Sequence, residues 1–525
     1  MHASSSIICH ALLTVAFLAT ALSQSPCFGA AGDKLNVMVI TADDMSCDSV
    51  GVYGCRLKDT TPVMDRLASQ SLRFNHAFVQ VGNCMPSRNV MFSGRYPHNN
   101  GVEGFYKVKN DYPVMADLMQ AAGYYTGIFH KVGHSTPYSP YPSWDVVLDT
   151  QPDGTRLDLR SPGSYYQAAS RGIAQAKAAG KPFCLNLNIA DPHKPFYGEG
   201  GEMDVNKPSR VFTAAEVPVP GFLFEDPAVR EELALYYSSV RRADDSLGEI
   251  LRAVRESGAA DNTVVIFLAD HGMPLPFVKT QVYFPSVRTP LMIHWPGVTA
   301  AGSVDDSHMV SAVDLLPTLL DVVGVPHPAG MDGRSFATVL RGESQTDRDF
   351  IVAEYNENVG GHSNPMRAII TKDYGYLFNP WSNGSRTMAT ATKATDSYRR
   401  MVARAKSEPA IAARLDLFQH RVPEELYCYA TDPDALQNLV DNPAHRAERD
   451  RLVATLEAWM ADTHDPMLPV LQGRDSPAIR EAFMKAQEKE SADRKAAKGK
   501  AAKGKSKKPA KAGKQKPPAK TDAPT

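Results

Sequence analysis

Leu35-Asn36-Val37-Met38-Val39-Ile40-Thr41, closed by Ala42-Asp43-Asp44, is the stretch on which the fold turns. A largely apolar run rich in β-branched residues suits a strand buried on both faces of a parallel sheet. Comparable runs follow at 124–129, 183–189, 263–269 and 291–294. Helical stretches lie between or beside them at 61–71, 114–122, 164–179, 227–256 and 314–323. This alternation predicts an α/β fold with a mostly parallel central sheet sandwiched by helices. Ligands of such sheets sit beyond the carboxyl ends of the strands. Asp43-Asp44 and Asp270-His271 both occupy that position.

From about residue 350 the pattern changes to short strand-like runs at 350–355, 367–371, 374–379 and 425–430, then a helix at 444–460. These predict a smaller C-terminal antiparallel sheet subdomain. The expected organisation is a signal peptide at 1–31, a catalytic domain at 33–345, the subdomain at 346–470, and a linker with a disordered Lys/Ala/Pro-rich tail at 471–525. The glycine- and asparagine-rich segment 356–364, with His362, reads as a loop and a candidate ligand contact.

The 525 residues are 43% hydrophobic and 22% charged, ordinary for a globular protein. The net charge of −1 hides a segregation. From Arg494 onward there are 12 Lys/Arg and one acid, which leaves a net of −12 on the rest. The tail reads either as a solubilising segment or as a tether to a polyanion; specific nucleic-acid binding is not expected. Residues 7–22 are mostly apolar and small residues follow at Gly29-Ala30-Ala31, as in an export signal cleaved near Ala31. The expected location is therefore periplasmic or extracellular. Five cysteines remain beyond it, too scattered for a disulfide framework, although Cys47 and Cys55 are close enough in sequence to pair.

Cys84-Met85-Pro86-Ser87-Arg88 carries the chemistry. Pro86 favours a helix starting there, whose N-terminus would stabilise a developing negative charge. Arg88, one turn on, can fold back over residue 84. Oxygen-rich ligands such as Asp43, Asp44 and Asp270 suit calcium or magnesium better than zinc, with His271 the odd member.

The Cys-x-Pro-Ser-Arg pentapeptide resembles the site at which sulfatases make formylglycine. Segments 41–44 (TADD), 61–78, 92–102 (FSGRYPHNNGV), 123–131 (GYYTGIFHK), 191–196 (DPHKPF), 268–272 (LADHG) and 425–443 extend that resemblance over roughly residues 35–470. The chain is thus identified as similar to the formylglycine-dependent sulfatases of the alkaline-phosphatase superfamily. That resemblance implies one calcium ion per subunit, with magnesium as the alternative, held by Asp43, Asp44, Asp270, His271 and modified Cys84. It implies a maturating enzyme that converts Cys84, and a hydrated aldehyde that attacks sulfur. It implies a catalytic ring of Arg88, Lys131, His134, His193 and Lys279, with His193 as general acid. Lys131 matches the family lysine, whose histidine partner is either His134 or His130.

Within the family the likeness is to the N-sulfoglucosamine sulfohydrolases, the heparan sulfamidases. It rests on 270–286 (DHGMPLPFVKTQVYFPS), Pro365-Met366-Arg367 and Thr463-His464-Asp465-Pro466. Departures are Asp-His for Asp-Asn, Lys279 where the sulfamidases have Arg, and a Lys-x-x-His spacing. The implied substrate is a sulfated sugar or glycosaminoglycan, N-sulfated or, as in iduronate sulfatases, O-sulfated. The other readings are a phosphonate or phosphodiester hydrolase of the same superfamily and a non-enzymatic polyanion-binding protein.

Overall fold

In the computed structural model, residues 34–138, 143–201 and 204–506 are described, with side chains to Ala497. The expected signal peptide and most of the basic tail lie outside the described residues. No helix among them is long and apolar enough to cross a membrane.

The run that opens the sequence forms β1 (Asn36–Asp43). The chain then adds β2 (Leu72–Phe74), β3 (Ala77–Phe78), β4 (Tyr125–Phe129), β5 (Val146–Val147), β6 (Phe183–Pro192), β7 (Thr263–Ala269), β8 (Leu291–His294), β9 (Val304–Asp305) and β10 (Val310–Ser311). Eight of these make one sheet in the order β5-β4-β6-β1-β7-β8-β2-β9, while β10 pairs with β3. Strands β5, β4, β6, β1 and β7 run parallel, and β8 lies antiparallel between β7 and β2. Every residue of β6 and β7 is buried, as strands covered on both faces require.

Helices Pro162–Ala178 and Pro227–Glu256 pack on each other and on β6. The second is 30 residues long and begins as its sequence dictates. Asp226 accepts from Ala228 N at 2.9 Å, and Pro227 takes the first helical position, where its missing N–H costs nothing.

The predicted antiparallel sheet is present as β11 (Phe350–Asn358), β12 (His362–Thr371), β13 (Tyr374–Phe378) and β14 (Glu424–Cys428). Its two faces alternate as a pleat demands. Ile351, Ala353, Met366 and Ala368 join the core of the large sheet. Val352, Ile369, Tyr376 and Leu426 face helix Arg446–Asp462 and its neighbours. The described residues from Leu35 onward form one unit, so this sheet shares a core with the rest. Two segments singled out in the sequence meet here: Arg367 donates to Asp465 at 2.6 and 3.2 Å, both buried.

Two expectations are corrected. Segment 356–364 is not a loop. Strands β11 and β12 run through it and leave only 359–361 as the turn, because Glu357↔Ser363 and Asn358↔His362 continue the ladder past an irregularity at Tyr355/Glu357. Nor does order fade at 471. Helix Leu468–Gln472 and a long helix Pro477–Ser506 follow. Met484 is fully buried on the second, and Arg386 ties Glu481 and Glu488 to the body at 2.6 and 3.1 Å. The five cysteines among the described residues are free, Cys47 and Cys55 included.

Candidate functional site

Four neighbouring strands deliver the site residues to one edge of the sheet. Lys131 follows β4, His193 follows β6, Asp43 ends β1, and Asp270-His271 follow β7. At the end of β1 the register shifts between Ala42 and Asp43, and Asp44 takes a left-handed φ of 66°. A non-glycine residue there costs on the order of 1–3 kcal/mol. The Asp44 N–H is spent on Asp270 Oδ1 at 3.0 Å, which binds the two acidic pairs together. His130, Lys131 and Thr280 are also left-handed, with φ between 52° and 67°.

Cys84 opens a ten-residue helix, Cys84–Ser93, all of it buried. Asn83 precedes it in an extended conformation. The Cys84 Sγ lies 3.3 Å from His271 Nε2 and 3.6 Å from Asp44 Oδ1. Burial pushes this thiol up, and the three surrounding aspartates reinforce that against Lys279. His271 Nδ1–H donates to Gly272 O at 2.9 Å, which turns Nε2 toward Asp44 at 3.1 Å.

Arg88 feels the charge of Asp270, Asp43 and the Cys84 thiol. Its guanidinium is fully buried and is consumed below the site: Nε donates to Asp270 Oδ2 at 3.0 Å, Nη2 to Asp43 Oδ1 at 3.3 Å, and Nη1 to Thr41 Oγ1 at 2.6 Å and Asn188 Oδ1 at 2.5 Å. A fully desolvated guanidinium seeks all the acceptors it can reach, and they lie on the sheet side. Asn188 also donates to Phe129 O at 3.0 Å and His130 O at 2.9 Å, fixing the backbone just before Lys131. Sequence reading missed Asn188 because it sits inside a buried strand, where only pairing with β1 and β4 gives it a role.

Lys131 Nζ is 2.5 Å from Asp43 Oδ2, and Lys279 Nζ is 2.6 Å from Asp44 Oδ2. Burial alone would lower both lysines, but their carboxylate partners hold them raised and charged. Burial would likewise raise Asp43 and Asp44, and the cations around them reverse that. Asp270 goes the other way: burial wins over Arg88 and raises it. The Lys279 segment lies directly on the Cys84 segment. Thr280 N donates to Gly82 O at 2.7 Å, and a Cβ on Gly82 would stand 2.5 Å from Gln281 O.

His193 Nε2 is 4.0 Å from Asp44 Oδ2 at the solvent side, with its ring about one-third exposed. Its turn is held from below, where Arg160 and Arg242 pair with Asp191 at 2.6 and 2.8 Å. His193 Nδ1–H donates to Lys194 O at 2.5 Å and leaves Nε2 toward the site. His130 and His134 are both lowered to about 3, by burial first and then by Lys131. Both Nδ1 atoms are buried without a hydrogen-bond partner, so His134 and His130 stand equally as the family histidine.

Oxygens of Asp43, Asp44 and Asp270 lie within 4.8 Å of one another, and donor atoms of Cys84, Asp270 and His271 form an overlapping group. Three buried carboxylates converging on one point fit a hard divalent cation of the calcium or magnesium type. The charge arrangement suits an anionic substrate, with cations fixed on two sides and a thiol at a helix N-terminus.

Residues 35–325 match the family model for sulfatases, and 270–382 match that for the C-terminal part of N-sulphoglucosamine sulphohydrolase. The chain is 28% identical to human N-sulphoglucosamine sulphohydrolase over 464 residues, covering 82% of this chain and 91% of the relative. It is 27% identical over 440 residues to an ulvan-active sulfatase of Formosa agariphila, covering 82% and 81%. The solved structure of a 2-O glycosaminoglycan sulfatase superposes with a TM-score of 0.63 at 20% identity, covering 85% of this chain and 96% of that one. With more than half of its length matched, and the acidic edge and Cys84 helix inside that match, this chain belongs to the sulfatase family.

Proposed function

We propose that this protein hydrolyses sulfate groups from a sulfated sugar, with the sulfamate of N-sulfoglucosamine as first candidate. The observation that carries the reading is Cys84 at the head of a buried helix, 3.3 Å from His271 and 3.6 Å from Asp44, among Asp43, Asp44, Asp270, Lys131 and Lys279. The sulphohydrolase match over 270–382 supports the sulfamate. Asp270-His271-Gly272 and the spacing of Lys131 to His134, both as in iduronate sulfatases, support an O-sulfate as second reading.

In this reading a maturating enzyme converts Cys84 to formylglycine, whose hydrate supplies the attacking oxygen. A divalent ion, calcium first and magnesium second, would be held by Asp43, Asp44, Asp270 and His271 and would draw charge from the sulfate oxygens. The chain's own groups do the rest. Lys131 and Lys279 stay cationic and balance charge gathering on the sulfate. His193 faces the site through Nε2 and, when protonated there, gives that proton to the leaving oxygen or nitrogen. Arg88 holds Asp43 and Asp270 in place. His134 or His130, neutral in the folded state, takes the proton of the remaining hydroxyl of the hydrate as the sulfate bound to the other oxygen departs and the aldehyde re-forms. Export by segment 1–31 and contact of the basic tail with polyanions belong to the same proposal.

The test is the mass of tryptic peptide 74–88 from the native host, with sulfate release measured on N-sulfoglucosamine, on O-sulfated sugars and on a phosphonate monoester. Loss of sulfur from Cys84 together with sulfate release is expected. An unmodified thiol throughout, or turnover of the phosphonate alone, would overturn the reading.

A further inference from the structure

Two cavities of about 350 and 190 Å³ lie where the β11–β12 turn meets the C-terminal helix, and they share Gly361, Ser491 and Lys495. Each reaches the neighbourhood of the site through a short chain of contacts. The smaller is lined by Phe105, whose ring packs against His134 at 5.5 Å. The larger is lined by Asn364 and Ala389. Asn364 Oδ1 accepts from Ala389 N at 2.9 Å, and the adjacent Thr390 hydroxyl meets Thr280, next to Lys279, at 2.6 Å.

The polar groups on these walls are unevenly satisfied. Arg494 is committed to Glu357 and lies over the Tyr106 ring at 4.7 Å; Arg386 is committed to Glu481 and Glu488. Lys495 has no carboxylate partner among the described residues. Asn358 is 8% exposed, and its Oδ1 has no hydrogen-bond partner. Asn364 is 4% exposed and uses only its oxygen. Buried polar atoms are normally bonded, so an Oδ1 left unpaired in the wall of a cavity marks an amide that a bound hydroxyl would satisfy once the amide turns outward. An ammonium without a counter-charge, a free amide acceptor and a free amide donor in adjoining concavities are the chemistry that holds a hydroxylated, singly anionic sugar.

We propose that these cavities form a second sugar subsite. It takes an anionic group, carboxylate or sulfate, on the sugar adjacent to the one presented to Cys84. Lys495 supplies the counter-charge, and Asn358 and Asn364 bond hydroxyls. The proposal rests on the sulfatase reading of the site, and it gives the C-terminal helix a part in choosing oligosaccharides over monosaccharides.

The experiment uses full-length protein carrying Cys84→Ala, so that binding is read without turnover. The probes are a heparin-derived tetrasaccharide and free N-sulfoglucosamine, titrated calorimetrically. Lys495→Glu should weaken the tetrasaccharide about tenfold and leave the monosaccharide unchanged, while Lys495→Arg retains most of the affinity. A carboxyl-reduced tetrasaccharide distinguishes the anion: the Lys495→Glu penalty vanishes for a carboxylate and persists for a sulfate. Equal tetrasaccharide affinity in parent and Lys495→Glu would overturn the subsite, and so would equal weakening of both probes. Failure of the sulfatase reading would show separately, as absent turnover in protein that retains Cys84.

Discussion

Lys279 Nζ donates to both carboxylate oxygens of Asp44, at 2.8 and 2.6 Å, with both side chains buried. Removing the lysine takes from Asp44 the foremost of its cations and leaves it with His271 at 3.1 Å and His193 at 4.0 Å, beside Asp43 and Asp270. Lys279→Ala should therefore lose about 3–5 kcal/mol of stability. It should also lose about 100-fold or more in kcat under conditions where it stays folded. Denaturant titration paired with sulfate-release kinetics checks both; unchanged values would show that the pair does neither job.

Cys84 Sγ is held only by weak partners at 3.3 and 3.6 Å. Cys84→Ala should cost no more than about 1 kcal/mol in stability, since it opens little space. It should eliminate turnover altogether. Thermal unfolding beside an activity assay separates the two effects.

Asn188 connects Arg88, Thr41 and the backbone of β4. Groups that orient ligands in this way typically matter about 10–100-fold in metal affinity or activity. Asn188→Ala should bind calcium that much more weakly, and chelation should silence the parent enzyme, with calcium or magnesium restoring it. Metal content by mass spectrometry and calcium titration of the apoprotein are the readouts. Tight calcium binding by Asn188→Ala would assign Asn188 to folding alone.

His98 offers a pH test away from the site. Burial would lower it, but Glu354 at 2.8 Å raises it to about 9. Its Nε2–H donates to Thr463 O at 3.1 Å, as an imidazolium can. A raised pKa stabilises the fold fully below the unfolded value of about 6.5 and loses that contribution as pH rises through about 9. His98→Gln should thus be less stable than the parent near pH 6, by up to about 3 kcal/mol. The gap should narrow steadily toward pH 9.5. A gap that is flat in pH would assign the loss to packing.

The C-terminal helix can be weighed by two apolar residues on it. Met484 is fully buried and Ile479 is 43% exposed. Met484→Ala should cost about 2–5 kcal/mol and Ile479→Ala almost nothing. Equal, negligible effects would mean that the helix does not dock in solution.

The sheet and its edge were legible because they rest on local signals. Buried parallel strands read as unbroken apolar runs, and helix Pro227–Glu256 carries its own cap and proline. Asp43, Asp44 and Asp270 could be named as oxygen ligands from their placement after strands, while Cys84 as the reacting group and His271 as a ligand came from the resemblance to the sulfatases. What stayed hidden depends on partners remote in the chain. Arg88 reads as a cation one helical turn from residue 84, and nothing local reveals that Thr41, Asp43, Asn188 and Asp270 enclose it. The helix Pro477–Ser506 has few apolar residues, and its attachment uses Arg386 and Gly361, more than 90 residues away. The asparagines of β11 and β12 read as a turn because nothing local reveals that the ladder continues through them.

The contact between Gly82 and Gln281 bears on how this site can be inherited or rebuilt. With no room for even one carbon against the main-chain oxygen of Gln281, position 82 is closed to every residue but glycine, whatever side chain stands at 281. The loop that precedes Cys84 and the loop that carries Lys279 are therefore joined backbone to backbone across nearly 200 positions, and a library that varies the first must leave Gly82 untouched.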